Sequence, residues 1–315
     1  MRLPLQRFAS VFVLSAALAV LGAFGAPGKG DAFPIVNPLG ETIFPQFTVV
    51  VPRLSVLQAS GTMPGVSNAT FHESDYSLGF AYGVTPTFTV SALAPYVVRD
   101  LTLTLPDGQQ STRRASGVGD LTLVGSDRVF RQDDPLPRRG STQAFVFGGI
   151  KLPTGRTDLQ DAQGLLPPSL QPGSGSVDGL VGVAGLRNIG ETTFYGLLAY
   201  KVNGEGQTGG ARVQMGNTLL YELAVDRVIM ATPTSTLFAV LELNGMVADQ
   251  NAVNGARDPN SGGHVLFISP GLQYLPGPNL ILEASVQFPI VKALNGTQLQ
   301  PGTNWVVGLR YFVTF

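Results

Sequence analysis

The chain has 315 residues and a formal net charge of -1, and only 13% of its side chains are charged, against about 25% in an ordinary soluble protein. No block of Lys and Arg interleaves with aromatics, so phosphate backbones have nothing to draw them in, and nucleic acid is excluded as a partner. There is no cysteine, which removes disulfides, thiolate metal sites, cysteine nucleophiles and a lipidated cysteine at an export cleavage point.

At the N-terminus, Arg2 and Arg7 precede the uncharged run Phe8 to Phe24, and small residues follow at Ala23, Gly25 and Ala26. This pattern predicts a cleaved signal peptide over residues 1–30, with the mature chain starting between about 24 and 33. Residues 31–46 read as an N-terminal periplasmic segment and 47–315 as a β-barrel domain. No later stretch reaches the roughly 18 apolar residues that a membrane-spanning helix needs.

Beyond residue 33 the hydrophobic pattern has period two and is punctuated by Gly, Pro, Asn and Asp, which predicts strands. They fall at 47–56, 75–83, 88–98, 119–129, 142–152, 176–187, 192–202, 218–229, 237–248, 263–275, 279–288 and 304–315. The last strand places Trp305, Val307, Leu309, Tyr311, Val313 and Phe315 on one face, and Asn304, Gly308, Arg310 and Thr314 on the other. Leu280, Leu282 and Val286 oppose Glu283, Ser285 and Gln287 in the same way. Charges inside repeated strands are costly in a packed sandwich and cheap in a wetted lumen. The predicted fold is therefore all-β: a transmembrane antiparallel barrel of about 12 strands, an even number that closes with both termini on one side.

The links alternate in length. Thr85 to Thr87, Asn188 to Glu191, Ala231 to Ser235 and Pro276 to Pro278 are short and fall on the periplasmic side. Those at 99–118, 153–175, 203–217, 249–262 and 289–303 are long and face outward. Only 130–141 departs in length. Tyr76, Phe88, Tyr96, Tyr200, Tyr221, Tyr274, Trp305, Tyr311 and Phe315 fall near strand ends, where an interfacial girdle would sit.

Enzyme signals are thin. His72 and His264 lack carboxylates or a second imidazole at metal-ligand spacing, and no Ser stands out as a partner for His264, which an outer-membrane lipid hydrolase would require. Leu152-Pro-Thr-Gly155 lacks the remainder of a sortase signal. Gly173-Ser-Gly-Ser-Val-Asp-Gly179 lacks dinucleotide-loop spacing and reads as a loop entering a strand. No catalytic residue, metal site or cofactor is predicted. Arg128, Lys151, Glu222, Asp226, Glu242, Glu283 and Arg310 share the inward parity of their strands and are the candidate lumen-facing residues. They would either bias which solutes pass or form a salt-bridged plug.

Several segments in order carry a family resemblance: Tyr82-Gly-Val-Thr85, Ala94-Pro-Tyr96, Gly117-Val-Gly-Asp-Leu-Thr122, Gly149-Ile-Lys-Leu-Pro-Thr-Gly155, Gly173-Ser-Gly-Ser-Val-Asp178, Tyr200-Lys-Val-Asn-Gly204, Glu283-Ala-Ser-Val-Gln-Phe-Pro289, Asn295-Gly-Thr-Gln298 and Gly308-Leu-Arg-Tyr311. On these the chain resembles the phenol-degradation transporter-like outer-membrane proteins, the putative meta-pathway of phenol degradation family. The resemblance covers most of residues 75–315. It implies a barrel of twelve strands or a similar number that helps aromatic or other poorly soluble compounds enter the cell, and it carries over no catalytic residue. The expected function is a passive channel for small, aromatic or hydrophobic compounds. The alternatives are a nonconducting structural or adhesive barrel and a lipid hydrolase. The expected partners are outer-membrane lipid and lipopolysaccharide, a small-molecule solute, and the barrel assembly machinery through the Phe315 strand.

Overall fold

The computed structural model describes residues 34–36, 47–135 and 140–314; the signal-peptide reading of 1–30 and the C-terminal Phe315 lie outside them. The wall begins with β1 (Phe47–Met63), β2 (Val66–Gly83) and β3 (Phe88–Thr104), then β4 (Gln110–Val118), β5 (Leu121–Asp133) and β6 (Gly140–Leu152). The short strands β7 (Gln160–Asp161) and β8 (Gly164–Leu165) and one 3-10 turn, Pro168–Leu170, interrupt it before β9 (Asp178–Ile189) and β10 (Thr192–Asn203). Next come the short β11 (Glu205–Thr208) and β12 (Ala211–Gln214), the wall strands β13 (Thr218–Ala231) and β14 (Thr236–Ala248), and the short β15 (Ala252–Val253) and β16 (Ala256–Arg257). The chain finishes with β17 (Gly263–Gly277), β18 (Leu280–Leu294), the short β19 (Gln300–Pro301) and β20 (Asn304–Thr314).

Every wall strand pairs antiparallel with its neighbour, and β20 returns to β1 in the register Thr48↔Val313 through Val56↔Trp305. The ring closes on itself, and closure of this kind lets neighbouring strands satisfy one another's backbone groups in lipid. β4 and β5 together form one stave. β4 pairs with Tyr96–Thr104 of β3 and β5 with Phe88–Leu93, and the break between them falls opposite Pro95, which has no amide to donate. Gly119 donates to the Pro95 carbonyl at 2.8 Å, and a Cβ on Gly119 would come within 3.0 Å of the proline ring. With that stave counted once, the barrel has the twelve strands that the alternation predicts.

The outward parity carries Leu78, Phe80 and Tyr82 on β2, Leu223 on β13, and Trp305, Val307 and Tyr311 on β20, all exposed. That belt is the lipid-facing surface expected of a membrane-spanning barrel. Tyr76 and Tyr96 face each other across β2 and β3 in mid-strand, not near the ends. β1 to β4 extend through most of 57–74, which the sequence reading left outside its strands, and through most of 99–118, which it read as a loop. Two features hold that extension. Pro64-Gly65 turns β1 into β2 with Gly65 at φ 81°, as a tight turn with proline first and glycine second requires. Val66, Phe71, Leu101 and Leu103 are buried against Leu166, Leu170 and Leu299, which arrive from distant parts of the chain.

The interior is less uniformly polar than a wetted lumen. Phe145, Phe147, Tyr195 and Leu197 form one apolar inner cluster, and Val49, Val51, Phe238, Phe312 and Ile35 form another near the periplasmic end.

Candidate functional site

The candidate site is the bore, and two segments of the chain occupy it. Of residues 31–46, read from the sequence as periplasmic, the structure describes Pro34–Val36, and these sit against the inner wall. Ile35 is fully buried. Its amide and that of Val36 donate to Glu242 Oε1 at 2.7 and 3.1 Å, while Arg310 Nη2 donates to the Pro34 carbonyl at 2.7 Å. Arg310 and Arg53 clasp the two oxygens of Glu283, at 2.8 and 2.6 Å, and all three side chains are buried. A buried carboxylate between two guanidiniums is tolerable because each of its oxygens accepts a charge-assisted hydrogen bond from an opposite charge. The alternation of β1, β14, β18 and β20 brings these groups to one level, since inward positions two residues apart stack along the bore.

The outer half is filled by the segment between β6 and β9. Its turn back into the barrel needs backbones to cross at Gly155 and Gly173. A Cβ on Gly173 would meet the Gly155 carbonyl carbon at 2.4 Å, so only glycine fits. Asp120, in the break between β4 and β5, gathers the segment. It accepts from the amides of Gly155 at 3.0 Å and Ser174 at 2.9 Å, and pairs with Lys151 at 2.7 Å. Lys151 and Lys201 both reach Asp178, each at 3.2 Å. Gln171, buried, holds the segment's own fold through Leu159 N at 2.9 Å and Leu166 O at 2.9 Å, and Arg99 donates to its carbonyl. Farther out, Arg113 grips Asp161 through two bonds of 2.7 and 2.6 Å. The hydrogen bonds from Arg113 hold the Asp161 carboxyl below the usual aspartate range. The outer hairpin β11–β12 clasps the segment through Gly209 N to Thr157 O at 2.9 Å and Thr208 Oγ1 to Gly173 O at 3.1 Å.

Between Val36 below and Pro168–Gly173 above lies a cavity of about 280 Å³. The seven candidate residues divide among different places. Glu242, Glu283 and Arg310 meet around Pro34–Val36, and Lys151 belongs to the Asp120 cluster. Glu222 accepts from Asn244 Nδ2 at 2.9 Å, Asp226 is buried lower on β13, and Arg128 is half-buried near the periplasmic rim, donating to Pro86 O at 3.0 Å. The sequence reading missed Arg53, Glu73, Asp75 and Arg99, although Glu73, Asp75 and Ser77 share one parity and all three are buried. It also missed Asp120, Asp178 and Lys201, which separate segments supply from positions where no period-two pattern singles them out. Of the motifs left without a role, Leu152 to Gly155 and Gly173 to Asp178 are the two strands of chain that cross at the Asp120 cluster. His264 Nε2 lies 2.7 Å from the Tyr221 hydroxyl, so its neighbour is a phenol and not a serine. Among the described residues no group of three His, Cys, Asp or Glu side chains could hold a metal.

A family model for the Putative MetA-pathway of phenol degradation matches residues 56–293. Among solved structures, the COG4313 outer membrane channel from Pseudomonas putida F1 superimposes with a TM-score of 0.63 at 16% identity, covering 92% of this chain and 99% of that one. The transport unit of the autotransporter AIDA-I from Escherichia coli gives 0.45 at 10% identity over 84% and 90%, and a Pseudomonas aeruginosa FadL homologue gives 0.35 at 9% over 85% and 90%. No curated protein matches the chain.

Proposed function

The chain belongs to the Putative MetA-pathway of phenol degradation family, and on that premise we propose that it is a transport barrel rather than an enzyme, a passive channel for small aromatic or otherwise hydrophobic compounds. The observation that supports this reading is the cavity within the ring, bounded above and below by segments held by hydrogen bonds, ion pairs and apolar packing. A hydrogen-bonded wall closed on itself, with obstructions packed inside it, suits a conduit whose driving force is the solute gradient. Inward-facing Arg128, Lys151, Glu222, Asp226, Glu242, Glu283 and Arg310 then line the route and bias what passes. The exposed belt lies in outer-membrane lipid, with lipopolysaccharide around the outer rim, and the C-terminal β20, which Phe315 follows in the sequence, is the segment offered to the barrel assembly machinery.

A nonconducting structural or adhesive barrel is the second reading, favoured by the occupation of the bore at two levels. Planar-bilayer recordings of the purified protein separate the two. Current steps that enlarge when Pro34–Val36 are deleted support the channel, and silence in both the full chain and the deletion variant supports the filled barrel.

A further inference from the structure

The cavity of about 280 Å³ lies just under the range of about 300–1000 Å³ usual for small-molecule sites, so its occupant is compact. Much of its wall is hydrocarbon, from Leu57, Val97, Met246, Val265, Phe267 and Val306. Most of its charged groups already have counter-charges: Arg99 with Glu73 at 2.6 Å, Lys151 with Asp120, and Lys201 with Asp178.

Asp75 is different. It lines the cavity and is 1% exposed, yet neither carboxylate oxygen accepts a hydrogen bond from any described residue. The register sets it in an inward row between Ser55 of β1 and Val97 of β3, both of which also line the cavity. The nearby guanidiniums are engaged elsewhere, Arg53 with Glu283 and Arg99 with Glu73 and the Gln171 carbonyl. A carboxylate is an acceptor with room for about four hydrogen bonds. Burying it without donors is costly, and a solute that brings a donor recovers that cost on binding.

We infer that Asp75 is the recognition point of a binding site inside the barrel for a compact solute with an apolar body and a hydrogen-bond-donating head, a hydroxyl or an ammonium. The inference rests on the channel reading, because the solute must reach the lumen. A plain hydrocarbon would fill the apolar wall and leave Asp75 unmet, and an anionic head would be repelled by it.

Isothermal titration calorimetry on the folded full chain in detergent, with benzylamine, benzyl alcohol and toluene as probes of one body and three heads, tests this. Binding of a donor-bearing probe is expected, with affinity falling about tenfold or more in Asp75→Ala and toluene indifferent to that change. Asp75→Asn identifies the head: it retains part of the affinity for benzyl alcohol, whereas an ammonium loses affinity in both variants. Val265→Phe, which fills the cavity from β17, a strand that does not pair with the β2 strand carrying Asp75, should abolish binding of every probe. Heat-modifiable electrophoretic mobility checks that each variant is folded.

The site is overturned if toluene binds wild-type protein as tightly as the donor-bearing probes, if Asp75→Ala leaves their affinities unchanged, or if folded wild-type protein binds none of them. Conductance measured on the same preparations separates the two readings, since current without Asp75-dependent binding defeats the site and leaves the channel standing.

Discussion

Glu283 shows how one side chain in the bore holds several elements. It pairs with Arg53 from β1 and Arg310 from β20, so Glu283→Leu would leave two buried guanidiniums without their shared counter-charge. A loss of about 3–5 kcal/mol is expected, read from reversible denaturant unfolding. Gly173→Ala acts by a different route, because its Cβ would overlap the Gly155 backbone and push the crossing apart. Protease nicking between 153 and 177 should rise in that variant while the wall stays folded. The Asp161 carboxyl, lowered by Arg113, sets a pH dependence of known sign. Its contribution is complete above the ordinary aspartate value near 3.8 and is lost as pH falls through the lower folded-state value. Nicking of the same segment should therefore be flat from neutral pH down to that range and climb only below it, and Arg113→Ala should raise it already at neutral pH. These residues were unequally legible in the sequence. Glu283 and Arg310 were marked by parity within their own strands, whereas Gly173 and Asp161 gain meaning only from what crosses or grips them.

At the scale of elements, the wall strands follow from alternation alone, and the boundaries read from sequence fall within a few residues for β6, β9, β10, β13, β14, β17 and β20. The outer ends of β1 and β2 do not follow from it. Residues 57–63 and 66–74 carry Gly, Ser, Asn and Thr, which read as loop, and they stay in strand because Leu166, Leu170 and Leu299 supply an apolar surface to pack on. Such partners lie about a hundred residues or more from β1 and β2 and leave no periodic trace near them. Two bore-filling segments give paired expectations. Glu242→Leu removes the acceptor of the Ile35 and Val36 amides and should loosen the N-terminal segment. Asp120→Ala removes the acceptor that gathers Gly155 and Ser174 and should loosen the outer one. Single-channel conductance should rise in each and rise most in the double variant, because the obstructions lie in series.

For the molecule as a whole, the outward belt and the charged bore set opposite tolerances. Leu223 faces lipid on β13, and Leu223→Arg should cost about 2–4 kcal/mol when unfolding is measured from phospholipid vesicles. The bore also has a net sign. Among the described residues, eight buried carboxylates stand against four buried arginines and the two half-buried lysines, Lys151 and Lys201. Reversal potentials in a salt gradient should therefore show cation preference, weakening as ionic strength screens the charge.

Period-two alternation, low charge and link lengths were enough to determine an antiparallel ring with a lipid-facing side, because each of these is written within ten or so consecutive residues. The contents of the bore were decided by tertiary structure. Pro34–Val36 meets Glu242 about two hundred positions later in the chain, and Asp120, Lys151, Ser174, Asp178 and Lys201 converge from separate segments. Closure of the wall is what places those groups opposite one another, and local patterning carries no information about distances across a ring.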